Sequence, residues 1–263
     1  MALKIGLIGI VGKELGEDPW GTLQRVAEVG YEGIEGAASM ASRVGRSVPE
    51  MKAKLDALGL KVPAQGSVRL ESTDDEIAQT IANARAIGTS CVVQYWGPCE
   101  SEEQLLQEAE FLNRVGRRCA EAGLRFCYHN HNHEFAEFGG KRAVDILMEN
   151  TDPDAVNLEL DVAWCTFGGV DPATMIRKYA GRCPVLHIKD LAEVPPGGAT
   201  SNDGRKETLF TEVGTGVVDL RGTVEAAREC GVDWLVVEQD RMRDLPPMES
   251  MKVSYDNLKA IVG

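Results

Sequence analysis

Histidine and carboxylate side chains are concentrated at four places in the second half of the chain, each at the end of a short apolar segment. They lie in residues 128–135 (YHNHNHEF), 159–161 (ELD), 187–190 (HIKD) and 238–240 (EQD), which together contain all four histidines. Imidazole nitrogen and carboxylate oxygen form a mixed donor set that suits Mn²⁺, Zn²⁺, Co²⁺ or Mg²⁺. The pattern therefore indicates a divalent metal site, provided that the four places meet in the fold.

A structural role is the alternative for each of these residues taken singly. A lone aspartate after a strand, such as Asp190, is usually a helix cap or turn former. Alternating histidines are harder to explain in this way, because period two directs His129 and His131 to one face of a strand and Asn130 to the other. Desolvated polar groups at a strand end cost free energy unless they are paired or ligated. We therefore favour the metal site.

The elements that must position these residues follow from the hydrophobic pattern. Short apolar runs alternate with longer segments of helical periodicity, which is typical of parallel βα units. The predicted strands are residues 3–10, 31–36, 60–65, 90–96, 124–131, 155–161, 184–189 and 234–238. The predicted helices are residues 20–30, 47–59, 73–88, 101–123, 141–150, a segment opening at 171–172, 218–231 and 248–262.

Eight strands and eight helices within 263 residues, with no linker between halves, predict a single-domain (β/α)8 TIM barrel. A doubly wound open sheet is the alternative, because periodicity does not reveal closure. The absence of a G-x-G-x-x-G fingerprint after the first strand favours the barrel. In a barrel the carboxyl ends of all strands meet at one mouth, where the polar clusters would then converge.

Charge and cysteine content exclude several classes of function. The formal net charge is −13, with 41 acidic against 28 basic residues, so we expect neither nucleic acid nor a membrane as partner. Seven scattered cysteines without a C-x-x-C pair indicate reduced thiols in a cytoplasm. Residues 1–11 are apolar but short, and they lack the cleavage site of a signal peptide. We expect a small-molecule substrate and leave a homo-oligomer open.

Residues 193–212 form a long polar segment that directly follows the His187 strand. It contains PPGG at 195–198 and SNDG at 201–204, which disfavour regular structure. Loops at a barrel mouth often exclude water from reactive intermediates, so this segment is a candidate lid. A merely tolerated surface loop is the alternative.

Six short motifs, in this order and spacing, carry a family resemblance. They are GYEGIE at 30–35, H-N-H-x-x-E-F at 129–135, LDVAW at 160–164, HIKD at 187–190, VGTGVVD at 213–219 and VEQD at 237–240. With them the chain resembles the xylose-isomerase-like TIM-barrel superfamily, in its sugar phosphate isomerase/epimerase group, over essentially its whole length. The resemblance implies a barrel enzyme that acts on a sugar or keto-sugar.

The resemblance also implies a set of site residues. Glu134, Asp161, His187 and Glu238 would hold one divalent ion, and Mn²⁺ is the ion we expect first. Many members place the first of these ligands within strand five, where this chain has His129 or His131. Glu134 lies a few residues beyond that strand, as it does in the keto-inositol dehydratase-like branch. The identity of the first ligand therefore stays open. The implied catalytic residues are Glu134, Glu238, His131 and Lys189, and the implied substrate contacts are His129, Glu35, Trp164 and Gln94.

Several reactions are compatible with such a site. A metal that polarises a carbonyl and a base that removes the α-proton give an enediolate. We expect isomerisation or epimerisation of a ketose or keto-sugar. The alternative is β-elimination by a lyase or dehydratase that acts on a keto-inositol or 3-keto-glycoside. Lys189 and the extra histidines would suit this alternative, because they could protonate the leaving group. An abasic-site endonuclease needs more ligands and a basic groove, and a non-catalytic barrel would not need this cluster.

Overall fold

Eight parallel strands, each overlapping its predicted segment, form the centre of the molecule. The computed structural model describes residues 2–66, 68–201 and 208–263. The strands are β1 (Lys4–Leu7), β2 (Gly33–Ile34), β3 (Gln65–Gly66), β4 (Cys91–Gln94), β5 (Arg125–His129), β6 (Val156–Asp161), β7 (Val185–Ile188) and β8 (Trp234–Val237). Their order in the sheet is β2-β1-β8-β7-β6-β5-β4-β3, with parallel pairing throughout.

The sheet closes into a barrel between β2 and the segment that enters β3. Gly33 pairs in parallel with Lys61, and the amide of Ile34 donates to the Lys61 carbonyl at 2.9 Å. A Cβ on Gly33 would lie 2.9 Å from that carbonyl oxygen, so glycine permits the close approach. The predicted barrel is confirmed, and the open doubly wound sheet is excluded.

Eleven helices cover the described part of the barrel. They are α1 (Gly12–Glu17), α2 (Pro19–Val29), α3 (Ala37–Arg43), α4 (Val48–Leu58), α5 (Asp74–Ile87), α6 (Glu102–Glu121), α7 (Ala143–Glu149), α8 (Val162–Phe167), α9 (Pro172–Lys178), α10 (Leu220–Glu229) and α11 (Pro247–Val262). A capping box between Ser47 and Glu50 begins α4. Within the described ranges, no helix is long and apolar enough to cross a membrane.

Strand alternation separates the interior of the barrel from the layer under the helices. Cys91 and Val93 of β4 pack with Ala64 and Cys127 in one small apolar cluster. The alternate strand residues, such as Val92 and Phe126, belong to the main core that the helices cover. Inward side chains therefore fill the barrel as a packed core, and the last inward side chain of each strand faces the mouth.

Asp190 organises the turn after β7. Its carboxylate accepts the backbone amides of Gly214 and Gly216, at 3.0 and 2.9 Å, and that of Val218 at 3.1 Å. A Cβ on Gly216 would lie 2.4 Å from this carboxylate, so the glycine of the VGTGVVD motif lets the backbone wrap around it. Asp190 thus has the turn-forming role that a lone aspartate suggests.

The predicted lid begins and ends in described structure. Asp190–Leu191 and Phe210–Thr211 pair as a short antiparallel hairpin at its base. The Asn132 side-chain amide donates to the carbonyls of Ala199 and Ser201, each at 3.0 Å. Residues 202–207 of the predicted segment lie outside the described residues. The described portion is therefore tied to the strand-five loop.

Candidate metal and active site

The last inward side chains of β5, β6 and β7 converge in the barrel mouth. His129 Nδ1 lies 3.2 Å from Glu159 Oε1, and His129 Nε2 lies 3.9 Å from Asp161 Oδ2. His187 Nε2 lies 3.2 Å from the same Glu159 oxygen. One ligand atom from each of His129, Asp161 and His187 lies within 4.8 Å of the others, and all these side chains are buried. These residues form the mouth cluster.

Glu35 and Tyr95 extend the mouth cluster toward the first half of the barrel. The Tyr95 hydroxyl donates to Glu35 Oε1 at 2.7 Å, and His187 Nε2 lies 3.2 Å from that oxygen. Glu35, Glu159 and His187 form a second group with ligand atoms within 4.8 Å of one another. His187 is therefore shared between two sets of acidic partners.

Lys189 lies on the other side of the cluster, among three carboxylates. Its Nζ lies 3.0 Å from Asp161 Oδ2, 2.9 Å from Glu238 Oε2 and 2.9 Å from Asp240 Oδ2. Glu238 Oε2 also lies 2.7 Å from His187 Nδ1. The lysine is 1% exposed, so these ion pairs must offset the cost of burying its charged amine.

The protonation states follow from this arrangement. Burial alone would raise the pKa of Glu238, but the Lys189 ammonium and His187 hold it well below its usual value. Burial would lower the pKa of Lys189, but the carboxylates of Asp161 and Glu238 raise it well above its usual value. Burial, with a contribution from His187, lowers the pKa of His129 to about 4. The site therefore combines an ionised carboxylate, a protonated amine and a neutral imidazole.

The donor set fits a bound cation. Glu159 Oε2 and Glu35 Oε2 are buried without a hydrogen-bond partner among the described residues. Buried polar atoms in native proteins nearly always have partners, and a bound ion is one of the explanations for exceptions. A divalent cation would use oxygen and imidazole donors of this kind.

Glu134 does not join Asp161, His187 and Glu238. Its Oε1 accepts from the Tyr128 hydroxyl and its Oε2 from the His131 amide, each at 2.8 Å. Its closest potential ligand partners are Cys99 and His133 instead. The reason is the 3₁₀ turn at His133–Phe135, which carries the carboxylate to the face of β5 where Tyr128 points. The structure brings His129, rather than Glu134, to Asp161 and His187.

Gln94 also lies away from the mouth. Its side-chain amide donates to Glu108 Oε1 at 2.7 Å and to the Trp96 carbonyl at 3.0 Å. Alternation along β4 points it outward with Val92, so that it lies against α6 and is fully buried. The substrate contact expected for Gln94 is therefore corrected, and its neighbour Tyr95 takes the place in the mouth.

The other expected residues surround the mouth cluster. The His131 ring lies 5.0 Å from the His129 ring and 5.8 Å from the Trp164 ring, between centroids. Lys189 Nζ lies 5.7 Å from the Trp164 ring centroid. The Trp164 amide donates to Asp161 Oδ1 at 2.9 Å, which caps α8 and fixes that carboxylate.

The sequence analysis missed Tyr95 as a site residue, and it included Glu159 among the polar clusters without assigning it a role. Glu159 precedes Asp161 by two positions, so period two alone places both on the inward face of β6. Tyr95 follows Cys91 and Val93 at the same spacing on β4. The signal was present in both strands, but it depends on knowing which face is inward.

A cavity of about 880 Å³ opens against Glu35, Tyr95 and Glu238. Its lining includes Gly12, Leu15 and Gly16 of α1 and Met40 of α3, but none of His129, Asp161 and His187. We call it the side cavity. Ligand pockets typically combine such apolar walls with a few convergent polar groups.

Comparison with known proteins gives a consistent family. A family model described as xylose isomerase-like TIM barrel matches residues 23–261. An inosose dehydratase of Lacticaseibacillus casei is 30% identical over 150 residues, which are 55% of this chain and 50% of that protein. The chain thus spans about half the length of that relative. An inosose dehydratase of Geobacillus kaustophilus (strain HTA426) is 26% identical over 249 residues, covering 83% of this chain and 79% of that protein.

Solved structures share the fold. A sugar phosphate isomerase/epimerase from Parabacteroides distasonis ATCC 8503 superposes with a TM-score of 0.81 at 24% identity, covering 100% of this chain and 96% of that one. The IOLI protein, solved with a bound zinc atom, has a TM-score of 0.74 at 16% identity, covering 99% and 98%. At these identities the likeness shows the barrel architecture.

Proposed function

Since this chain belongs to the xylose isomerase-like TIM-barrel family, we propose that it is a metal-dependent lyase that dehydrates a keto-inositol or related keto-sugar by β-elimination. Relatives of this chain carry the name inosose dehydratase, which supports this chemistry. Glu238 and Lys189, which contact the mouth cluster, support it independently through their protonation states.

Asp161 and His187 would hold one divalent cation, with His129 as the strand-five ligand and Glu238 completing the set. Mn²⁺ and Zn²⁺ both suit these oxygen and imidazole donors, and a structural neighbour binds zinc. A cation held there would polarise the substrate carbonyl and acidify the adjacent C–H bond.

The observation that carries the proposal is the contact of 2.9 Å between Glu238 and Lys189. Glu238, held ionised, takes the proton from the carbon next to the carbonyl. The resulting enolate expels the hydroxyl group of the next carbon, and Lys189, held protonated, gives that oxygen a proton as it leaves as water. Glu238 then returns its proton to Lys189, so the cycle closes on an unsaturated ketone and one water.

A variant of Lys189 tests this assignment. Lys189→Met keeps the length of the side chain but removes the acidic proton. With the metal-loaded protein and an inosose in deuterium oxide, we expect dehydration to fall about 10²–10⁴-fold. Deuterium exchange at the α-carbon should fall much less, because Glu238 and His187 remain. Equal losses in exchange and dehydration would contradict a leaving-group role for Lys189.

Asp240→Asn is the matched control. Asp240 contacts the same amine at 2.9 Å but its side chain is 35% exposed. We expect this variant to retain dehydration within a fewfold, because Asp161 and Glu238 still keep Lys189 charged. Thermal melting of both variants separates a chemical effect from loss of the fold.

Epimerisation is the second candidate, and one observation favours it. Glu35 and Glu238 contact opposite nitrogens of His187, at 3.2 and 2.7 Å, so two carboxylates line the site from different sides. Two carboxylates would serve the two proton transfers of an epimerase. Conversion of free ketoses to their epimers, with His131→Ala nearly as active as wild type, would establish this reaction in place of elimination.

A further inference from the structure

The side cavity is larger than a single sugar ring requires. Its volume is about 880 Å³, and pockets of about 300–1,000 Å³ bury drug-sized ligands. Glu35 and Glu238 line it, and both contact His187, so they lie close together and define its carboxylate end. We propose that the substrate carries an aryl substituent, which the side cavity binds while the sugar ring lies at the carboxylate end. This inference rests on the proposed function and names its substrate class.

The interior wall of the side cavity is apolar except for the half-buried Ser39, whose hydroxyl accepts from the Gln65 side-chain amide at 2.7 Å. Leu15 of α1 and Met40 of α3 line it and are buried, as is Val68. Val44 and Leu70 add further aliphatic surface. Such a wall leaves the hydroxyl groups of a second sugar without partners, and it favours a substituent that sheds its hydration on binding.

The charged lining residues beyond the carboxylate end lie on the solvent side. Arg43, Arg69 and Glu71 all line the side cavity but are exposed. They therefore border the opening and do not interrupt the interior wall.

Aromatic side chains mark where the sugar end meets the substituent end. Tyr95, which holds Glu35, and Trp96 both line the side cavity. Trp96 is 42% exposed, which is unusual for so large an apolar side chain. Aromatic rings stack or pack edge-to-face on one another with a gain beyond area burial. An aryl group is the substituent that uses this surface best.

Two glycines of α1 keep the side cavity open. Gly12 and Gly16 are one helical turn apart, and both line it. A Cβ at either position would meet no atom within 4 Å, and neither residue has a positive φ. Glycine is a poor helix former, so the backbone does not require it here. Both glycines are exposed, so they line the side cavity near its opening, and a larger side chain at Gly16 would narrow the cavity there.

The test compares binding of non-reactive probes. Phenyl and methyl glucosides, in both anomeric forms, are titrated calorimetrically into the metal-loaded protein and into Gly16→Leu, Trp96→Ala and Glu17→Leu. Glu17 is the matched control, because it is an exposed neighbour on the same helix that does not line the side cavity. We expect the wild type and Glu17→Leu to bind a phenyl glucoside at least about tenfold more tightly than the methyl glucoside, by burial of the ring.

Gly16→Leu should reduce this preference to less than about threefold, since its side chain narrows the side cavity. Equal affinities of the wild type for the two glucosides, or a preference that survives in both Gly16→Leu and Trp96→Ala, would overturn the inference. Turnover of an inosose and of aryl-substituted keto-sugars is measured separately. Dehydration of the inosose without an aryl preference refutes the side-cavity proposal alone. An aryl preference, with no dehydration of either the inosose or aryl-substituted keto-sugars, refutes the proposed function alone.

Discussion

His129 and Glu134 lie five positions apart in the chain but belong to different clusters. His129 is the last residue of β5 and points inward to Asp161, while Glu134 turns back to accept from Tyr128. The family resemblance alone left both open, because a ligand position after a strand depends on the path of the loop. The 3₁₀ turn at His133–Phe135 sets that path, and three residues are too few for a periodic signal.

This difference gives a prediction about metal affinity. His129→Ala removes a donor within reach of Asp161 and His187, so we expect its affinity for Mn²⁺ or Zn²⁺ to fall at least about tenfold. Glu134→Gln should keep the metal and lose about 1–2 kcal/mol of stability through its hydrogen bonds to Tyr128 and the His131 amide. Calorimetric titration with chemical denaturation measures both quantities. Weaker metal binding in Glu134→Gln, with His129→Ala unaffected, would contradict the placement.

Strand alternation explains which residue assignments could be made in advance. Period two puts His129, Asp161 and His187 on inward faces once the barrel is assumed. The same rule, applied to β4, would have directed Gln94 outward and Tyr95 inward. It was not decisive from the sequence because β4 is apolar on both faces, Cys91 and Val93 against Val92, so neither face identifies itself.

At the scale of elements, α6 and β4 enclose a buried carboxylate. Burial, together with the nearby Glu134, raises the pKa of Glu108 to about 8. An acid whose folded pKa lies above its unfolded value stabilises the fold fully below the unfolded pKa of 4.5. This stabilisation is lost as pH rises through the folded value. The packing of α6 on β4 should therefore weaken toward alkaline pH.

Glu108→Gln tests this coupling, since glutamine resembles the protonated side chain and still accepts from Gln94. Between pH 5 and 9 we expect the wild type to lose at least about 2 kcal/mol more unfolding free energy than the variant, from a shift of several pKa units. Urea denaturation across that range gives both curves. Glu110→Gln, an exposed site on the same helix, is the control and should follow the wild type. Parallel curves for wild type and Glu108→Gln would refute the raised pKa.

Hydrogen bonds from Asn132 attach the loop after β7 to the loop after β5, and a role of the former as a lid would depend on them. Asn132, fully buried, holds the carbonyls of Ala199 and Ser201. If the loop is a lid, Asn132→Ala should lower kcat about tenfold by admitting water to the reactive intermediate. Stability should fall by only about 1–3 kcal/mol, the cost of the lost hydrogen bonds. Unchanged kinetics in a variant with this loss of stability would leave a surface loop only.

Helix prediction succeeded for the long, capped helices and missed three of the five helices that have six or seven residues. Helices α5 and α6 have clear periodicity and polar N-caps, Thr73 and Ser101. The helices α1, α3 and α8 have six or seven residues each and were not predicted. Two of these missed helices, α1 and α3, line the side cavity. The region that we propose to determine substrate specificity was therefore the hardest to predict from the sequence.

At the scale of the whole molecule, the barrel concentrates acidic side chains around one mouth. Glu35, Glu159, Asp161 and Glu238 come from strands spread across the chain, and only the closed sheet brings them together. Buried carboxylates at this density repel one another unless cations balance them. Lys189 and His187 provide part of that charge, and a divalent ion would provide the remainder. The bound metal is therefore the central feature of the proposed site.

Metal content is the measurement that tests the proposed metal site most directly. The chelator-treated protein is reloaded with Mn²⁺ or Zn²⁺, dialysed, and analysed for bound metal alongside Asp161→Ala, His187→Ala and Glu238→Ala. We predict one ion per chain in the wild type, and loss of both metal and turnover in each variant with the barrel still folded by circular dichroism. A wild type that retains no ion after reloading, or two variants that keep full metal content and activity, would contradict the proposed metal site.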